Sequence, residues 1–269
     1  MDIHKPKPWH GVREFLKEYV IIVVGVLTAL GAEQAVEWLH WRHQTELAHA
    51  ALAYDLKRVM SWSGWQDSRT PCIAARLTEL EGVLDRAQST GRLAPVAWVP
   101  FPQQGAWSLR AWSGLTYGQT LAHLGNREQT QLAALNSYME HLRGDADRQL
   151  EGWAVLQTLS GPGRRITDEE IASLRRVIAT QRATLFVMRN GASHSETLVL
   201  QTGLLSRQEA ERAWKDGLAR AAANPGPCLS VYSQNPAAGG GLFQALAQPF
   251  TAPGSAQLDE TGTGGESVR

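Results

Sequence analysis

One apolar stretch near the beginning of the chain is the strongest hydrophobic pattern in the sequence. Residues 19–32, YVIIVVGVLTALGA, include no charged side chain, and Glu18 and Glu33 flank them. Uncharged side chains, most of them apolar, then recur at helical spacing with no turn residue between them, which predicts one long helix leaving the apolar stretch. The recurring positions are Val36, Leu39, His43, Leu47, Ala50 and Tyr54.

The apolar run is shorter than the roughly 20 helical residues that cross a bilayer core. Apolar side chains on both sides lengthen it, a lysine stem can extend to the headgroups, and tryptophan favours the membrane interface. We therefore predict a transmembrane helix over residues 18–39 in the lipid bilayer. Its predicted interface residues are Lys17, Trp38 and Trp41.

Two other interpretations of this segment remain. A cleaved secretory signal shares the basic start, and Ala29-Leu30-Gly31 resembles a small-x-small cleavage site. A buried helix of a soluble protein also fits an apolar run of this length. The uninterrupted helical spacing beyond the run favours an anchor that is retained.

The charges around the apolar segment predict its orientation. Basic residues outnumber acidic ones before the segment, and acidic residues outnumber basic ones just after it, which places the N-terminus inside. We expect a basic cytoplasmic tail over 1–17 and an extracytoplasmic helical domain over 40–235, in the bacterial inner membrane and periplasm. The basic residues before the segment are Lys5, Lys7, Arg13 and Lys17, and after it Glu33, Glu37 and Glu46 outnumber Arg42.

Small residues on one side of the apolar helix suggest a contact with a second helix. Gly25 and Ala29 are four residues apart and share a face. Small side chains let two spanning helices approach closely, so this face predicts a homodimer through the transmembrane helix. The alternative is that small residues fall there by chance.

Turn signals divide the next part of the chain. The first helix is expected to end near Trp62, before Ser63-Gly64, and a second to start at Thr70-Pro71 and to stop at Gly91. Residues 92–104 contain three prolines, which predicts a loop. Residues 106–123 predict short helices interrupted by Gly114 and Gly118.

Three further helices are predicted by caps and periodicity. One starts with Asn126 as N-cap and Gln129 at the third position, and extends towards Leu159 before the break at 160–164. Thr167 to Glu170 has the form of a capping box and opens a helix with a kink at Gly191. Ser206 with Glu209 opens the last helix, to about Ala223.

The fold predicted from these elements is all-α. One N-terminal transmembrane helix continues into an antiparallel helical bundle, because helices joined by short loops pack against their neighbours. Residues 236–269 are rich in Gly, Pro, Ser and Ala, and residues 249–269 lack an apolar pattern, which predicts a flexible, disordered C-terminal tail over 236–269.

Cys72 and Cys228 are the two cysteines of the chain. In an oxidising compartment outside the cytoplasm such a pair is expected to form a disulfide, fastening the segment after the last helix. Two buried, unpaired thiols are the alternative.

Candidate chemistry is sparse. Lys plus Arg and Asp plus Glu both number 26, so net charge favours no nucleic-acid partner. His40 and His43, with Glu37 nearby, share a helix face but lack further metal ligands, and a polar face at the headgroups is the simpler interpretation. His194, Ser195 and Glu196 are sequence neighbours that point in different directions, so a polar helix face is expected. No catalytic residue and no cofactor are predicted.

Aromatic residues between Trp98 and Trp112 allow two interpretations. With Phe101 and Trp107 among them, they suit an apolar groove for a ligand or peptide, or ordinary core packing.

The segment from Arg13 to Arg42, REFLKEYVIIVVGVLTALGAEQAVEWLHWR, resembles the start of a family of uncharacterised bacterial single-pass membrane proteins. Their anchor has a REFLKE-like lead, a GVLxAL run and an EQxxEWxxWR segment. The resemblance implies membrane anchoring and a helical domain beyond the membrane, with no assigned activity. We expect a non-enzymatic scaffold or accessory protein that binds an unidentified envelope protein; a ligand-binding or sensory module is the alternative.

Overall fold

A computed structural model describes residues 11–103, 105, 107–224 and 226–232. The predicted C-terminal tail, 236–269, and the first ten residues, which include Lys5 and Lys7, lie outside the described residues. Five α-helices occur in the described part: α1 Val12–Thr90, α2 Arg110–Tyr117, α3 Asn126–Leu156, α4 Asp168–Gln201 and α5 Arg207–Ala223. The all-α class, with an apolar N-terminal helix that continues into a helical bundle, is confirmed.

Short non-helical and 3₁₀ segments connect the helices. Strands β1 (Arg92–Leu93) and β2 (Arg164–Arg165) pair antiparallel, with Arg92 opposite Arg165. Three 3₁₀ turns occupy Thr120–His123, Gln157–Leu159 and Gly226–Cys228.

The chain forms two compact units. Within the described residues, unit 1 contains 11–67, 105, 107–148 and 186–219, and unit 2 contains 68–103, 149–185, 220–224 and 226–232. The region predicted as one domain over 40–235 therefore contributes to both. The core of unit 1 includes Leu52, Leu56, Met60, Trp107, Leu132, Leu135 and Met139; that of unit 2 includes Ile73, Leu77, Leu80, Trp153, Leu156, Ile178 and Val231.

The predicted break between a first and a second helix is wrong. Helix α1 continues through Ser63, Gly64 and Pro71 to Thr90. The Ser63 hydroxyl donates to the carbonyl of Val59 at 3.0 Å, so its polar group is satisfied inside the helix. Pro71 lies on the exposed side of α1, where the carbonyl that loses its N–H partner can be hydrated. The predicted stop is confirmed, since Gly91 follows the helix with a φ of 66°.

Several helix ends also differ from expectation. Gly114 lies inside α2, whereas Gly118 ends it by donating its N–H to the carbonyl of Leu115. Asn126 is the first residue of α3 and not its cap, because the N–H of Gln129 bonds to the carbonyl of Gly125. Helix α4 passes through Gly191 without interruption.

Both predicted capping boxes mark the start of a helix, but only the one at α5 is complete. At α5 the capping box is reciprocal: Glu209 N–H donates to the Ser206 hydroxyl, and Glu209 Oε2 accepts from Ser206 N–H at 3.1 Å. At α4 the Glu170 N–H donates to Thr167 Oγ1 at 3.2 Å, but the Glu170 carboxylate binds Arg164 instead. Hydrogen bonds from the Arg164 guanidinium, together with its positive charge, lower the pKa of Glu170.

Candidate functional site

The N-terminal part of α1 is an apolar helix that the described chain does not cover. None of its most apolar 18-residue window is buried, and the helix is long and apolar enough to cross a membrane. Ile22 and Leu27, for example, are 64% and 62% exposed. The alternative of a buried core helix is therefore wrong for the described residues. The Thr28 hydroxyl donates to the Val24 carbonyl at 2.7 Å, so the helix supplies this polar group with a partner of its own.

The three predicted interface residues have different surroundings. Lys17 is exposed, and Trp38 is 59% exposed with the guanidinium of Arg42 at 5.5 Å from its ring centroid. Trp41 instead stacks on His123, with centroids 3.9 Å apart and ring planes 16° apart. Trp41 thus also joins α1 to the 3₁₀ turn at Thr120–His123. Its place at a membrane interface stays a prediction, as does that of Lys17 and Trp38.

The predicted dimer face is sterically open. Gly25 and Ala29 are exposed, and a Cβ added at Gly25 would meet no atom within 4 Å. A second helix therefore has room to approach there. Pairing through this face stays a prediction.

Cys72 and Cys228 form a disulfide in unit 2, which confirms the predicted pairing. Their Cα atoms are 4.8 Å apart and their positions are separated by 156 residues. Cys72 lies on α1, and Cys228 ends the last 3₁₀ turn. The bond fastens the segment after α5 to α1.

A buried arginine that sequence reasoning missed supports the same segment. Arg69 donates to the Sγ of Cys228 at 2.9 Å and to the carbonyl of Ala221. Its exposed fraction is 2%, and burial lowers its pKa. Arginine stays charged even so, because its pKa is far above neutral.

Glu79 is a second missed residue on α1 that holds this segment. Its carboxylate accepts hydrogen bonds from the Ser230 hydroxyl at 3.0 Å and from the Val231 N–H at 2.9 Å. Arg76, one helical turn earlier, forms an ion pair with it at 2.8 Å. The apolar side chain of Val231 packs in the core of unit 2. Charge, backbone and core contacts thus hold one short segment in place.

The histidine candidates form no metal centre. Within the described ranges, no group of three or more His, Cys, Asp or Glu side chains is placed to hold a metal ion. His40 and His43 are both exposed on α1. Ser195 is fully buried and donates to the Gly191 carbonyl at 2.8 Å, so the expected polar face applies to His194 and Glu196 but not to Ser195.

The residues of the aromatic segment are divided between the two units. Trp98 and Phe101 belong to unit 2, whereas Trp107 and Trp112 belong to unit 1. Trp107 is 2% exposed in the core of unit 1, which confirms core packing for this residue.

A groove of about 370 Å³ lies elsewhere in unit 1. Helices α1, α4 and α5 line the groove with acidic and basic side chains. Nε of Arg189 lies 4.0 Å from Oδ1 of Asp67. No sequence pattern could locate this groove, because its residues are far apart in the chain. The lining residues are Met60, Ser63, Asp67, Arg189, Asn190, Ala192, Ser193, Glu196 and Trp214.

Comparison of the chain with known proteins finds no matching family model, no matching curated protein and no matching solved structure.

Proposed function

We propose that this chain is a single-pass envelope protein of the bacterial inner membrane that acts as a non-enzymatic scaffold or accessory subunit. The single observation that supports it best is the exposed apolar helix before residue 40, which continues directly into the folded units as α1. An uncovered apolar surface of this size is costly in water and favourable in lipid.

The proposed orientation has the N-terminus in the cytoplasm and the helical units in the periplasm. Four basic residues precede the apolar segment, namely Lys5, Lys7, Arg13 and Lys17, whereas Arg42 is the first basic residue after it. The Cys72–Cys228 bond supports the same orientation, because disulfides persist in the oxidising periplasm and are rare in the cytoplasm.

The scaffold role is supported by apolar side chains that the helical units leave exposed. Tyr117, at the end of α2, is 94% exposed, and Phe186 on α4 is 66% exposed. Aromatic side chains of this kind are enriched where proteins bind one another. We propose another envelope protein as the partner.

A ligand-binding or sensory module is the second candidate, and the groove of unit 1 favours it. Its lining combines Trp214 with the polar side chains of Asn190 and Ser193, a mixture typical of small-molecule sites.

Purification from detergent-solubilised membranes distinguishes the two candidates. A stoichiometric envelope protein that is lost on Tyr117→Ser or Phe186→Ser supports the scaffold. A small molecule that is retained with the wild type and lost on Asn190→Leu supports the second candidate. If Tyr117→Ser and Phe186→Ser lose no bound protein, and Asn190→Leu loses no bound small molecule, both candidate functions are contradicted.

The orientation is tested by paired C-terminal fusions. Alkaline phosphatase, which is active only after export, should be active, and a fluorescent protein that matures only in the cytoplasm should be dark. The reverse pattern contradicts the proposed orientation.

A further inference from the structure

One uncharged face of α1 continues from the apolar segment into unit 1. Successive helical residues are about 100° apart, so positions three or four residues apart form one stripe. Beyond Gly25 and Ala29 the stripe passes Ala32, and it ends at Tyr54. Its later members are Val36, Leu39, His43, Leu47, Ala50 and Tyr54.

This face is exposed well beyond the predicted span. Leu47 is 53% exposed and Tyr54 is 69% exposed, although both lie in the part of α1 that packs into unit 1. The opposite side of the helix carries the buried residues Leu52, Leu56 and Val59. The described chain therefore uses one side of α1 for its core and leaves an apolar side without a partner.

We propose that this face of α1 pairs in parallel with the same face of a second copy of the chain, from Gly25 to Tyr54. The proposal rests on the membrane anchoring proposed above, since anchoring aligns two copies side by side with parallel helices. The partner must be a helix that leaves the bilayer and continues beside α1 for 30 residues, about 45 Å at 1.5 Å per residue. The α1 helix of a second copy meets this requirement.

The charge pattern fits like-with-like pairing. In a parallel symmetric pair each residue faces its own counterpart, so a charged residue on the face would meet its own charge. No Asp, Glu, Lys or Arg occupies the stripe. Glu46, at its border, pairs with Arg42 of the same helix at 3.2 Å. Gly25, Ala29 and Ala32 permit close contact inside the membrane, and Leu47 and Tyr54 bury apolar surface beyond it.

Two adjacent alanines give a matched test. Ala50 lies near the middle of the face, whereas Ala51 lies at its border, about 100° further round the helix, and both are exposed. Since the two native cysteines are bonded to each other, Ala50→Cys or Ala51→Cys adds the single free thiol. In oxidised native membranes, full-length Ala50→Cys should form a disulfide-linked homodimer, and Ala51→Cys should form several-fold less. Equal cross-linking of both, cross-linking of neither, or a product of Ala50→Cys with another protein overturns the proposal.

A second variant measures the strength of the pairing. Leu47→Glu places like charges opposite each other and should raise the dissociation constant of the dimer, measured by light scattering in mild detergent, by about tenfold or more. Ala51→Glu, at the border of the face, should raise it several-fold less. An equal effect of both variants contradicts the proposed face. A carbonate wash of the same membranes tests the membrane anchor separately. Protein that stays in the membrane but does not cross-link contradicts the dimer and not the anchor.

Discussion

The carboxylate of Glu79 accepts a hydrogen bond from the backbone N–H of Val231 at 2.9 Å, although 152 positions separate the two residues. Because Arg76 faces the same carboxylate, removing Glu79 leaves a positive charge and a backbone donor without this acceptor. We expect Glu79→Ala to lower the free energy of unfolding by about 2 kcal/mol, measured by urea denaturation in detergent. Glu79→Gln keeps an acceptor oxygen and should cost less. A change below about 0.5 kcal/mol on Glu79→Ala would show that this contact is not made.

The disulfide should contribute to stability in the same region. Cross-linking residues 156 positions apart restricts the unfolded chain, so the double variant Cys72→Ser/Cys228→Ser should lose about 2–5 kcal/mol. A reductant should lower the melting temperature of the wild type and leave that of the double variant unchanged. A thiol count on denatured, unreduced protein should find none, and two reactive thiols would contradict the bond.

Two glycines in unit 1 should respond to alanine with opposite signs. A Cβ at Gly217 on α5 would overlap the carbonyl oxygen of Ser61 on α1, whereas a Cβ at Gly114 on α2 would meet nothing within 4 Å. We expect Gly217→Ala to destabilise by about 1–3 kcal/mol and Gly114→Ala to stabilise by about 0.5–1 kcal/mol, from denaturation midpoints. Equal effects of the two substitutions would exclude the close approach of α1 and α5.

This close approach also explains why the sequence misled at the middle of α1. Ser63-Gly64 has the composition of a turn, but a Cβ at Gly64 would overlap the carbonyl of Trp214. Glycine is therefore required at position 64 because α5 approaches α1 closely there. Gly64 and Trp214 are far apart in the sequence, so no local pattern reveals this contact. Thr70-Pro71 likewise resembles the start of a helix, yet Pro71 lies inside α1. A long helix tolerates a proline on its exposed side.

The candidate site was predictable only where the chemistry is unusual. The sequence contains two cysteines, Cys72 and Cys228, so their pairing could be predicted. The apolar run of residues 19–32 stands out by its composition, so the candidate membrane span could be predicted as well. Arg69 and Glu79 are ordinary residues of a polar helix pattern. Their roles arise from partners about 150 positions away, which sequence periodicity cannot locate.

The start of α5 predicts a pH effect at the acidic end. Hydrogen bonds from the Ser206 backbone N–H, then from its hydroxyl, and an ion pair with Lys57 lower the pKa of Glu209 from 4.5 to about 2. Because the folded chain holds this carboxyl in its charged form, the stabilisation is complete above pH 4.5 and is lost as the pH falls towards about 2. The melting temperature of Glu209→Gln should therefore fall less than that of the wild type over this range. Parallel pH profiles would contradict the cap.

The central claim is that the uncovered apolar helix at the start of α1 lies in lipid. Washing membranes with alkaline carbonate and floating them on a density gradient tests it most directly, because the wash releases proteins that are not embedded in the bilayer. The full-length chain should float with the membranes and keep its N-terminal segment by mass. Full-length protein in the soluble fraction would contradict the anchor, and with it the proposed orientation and dimer.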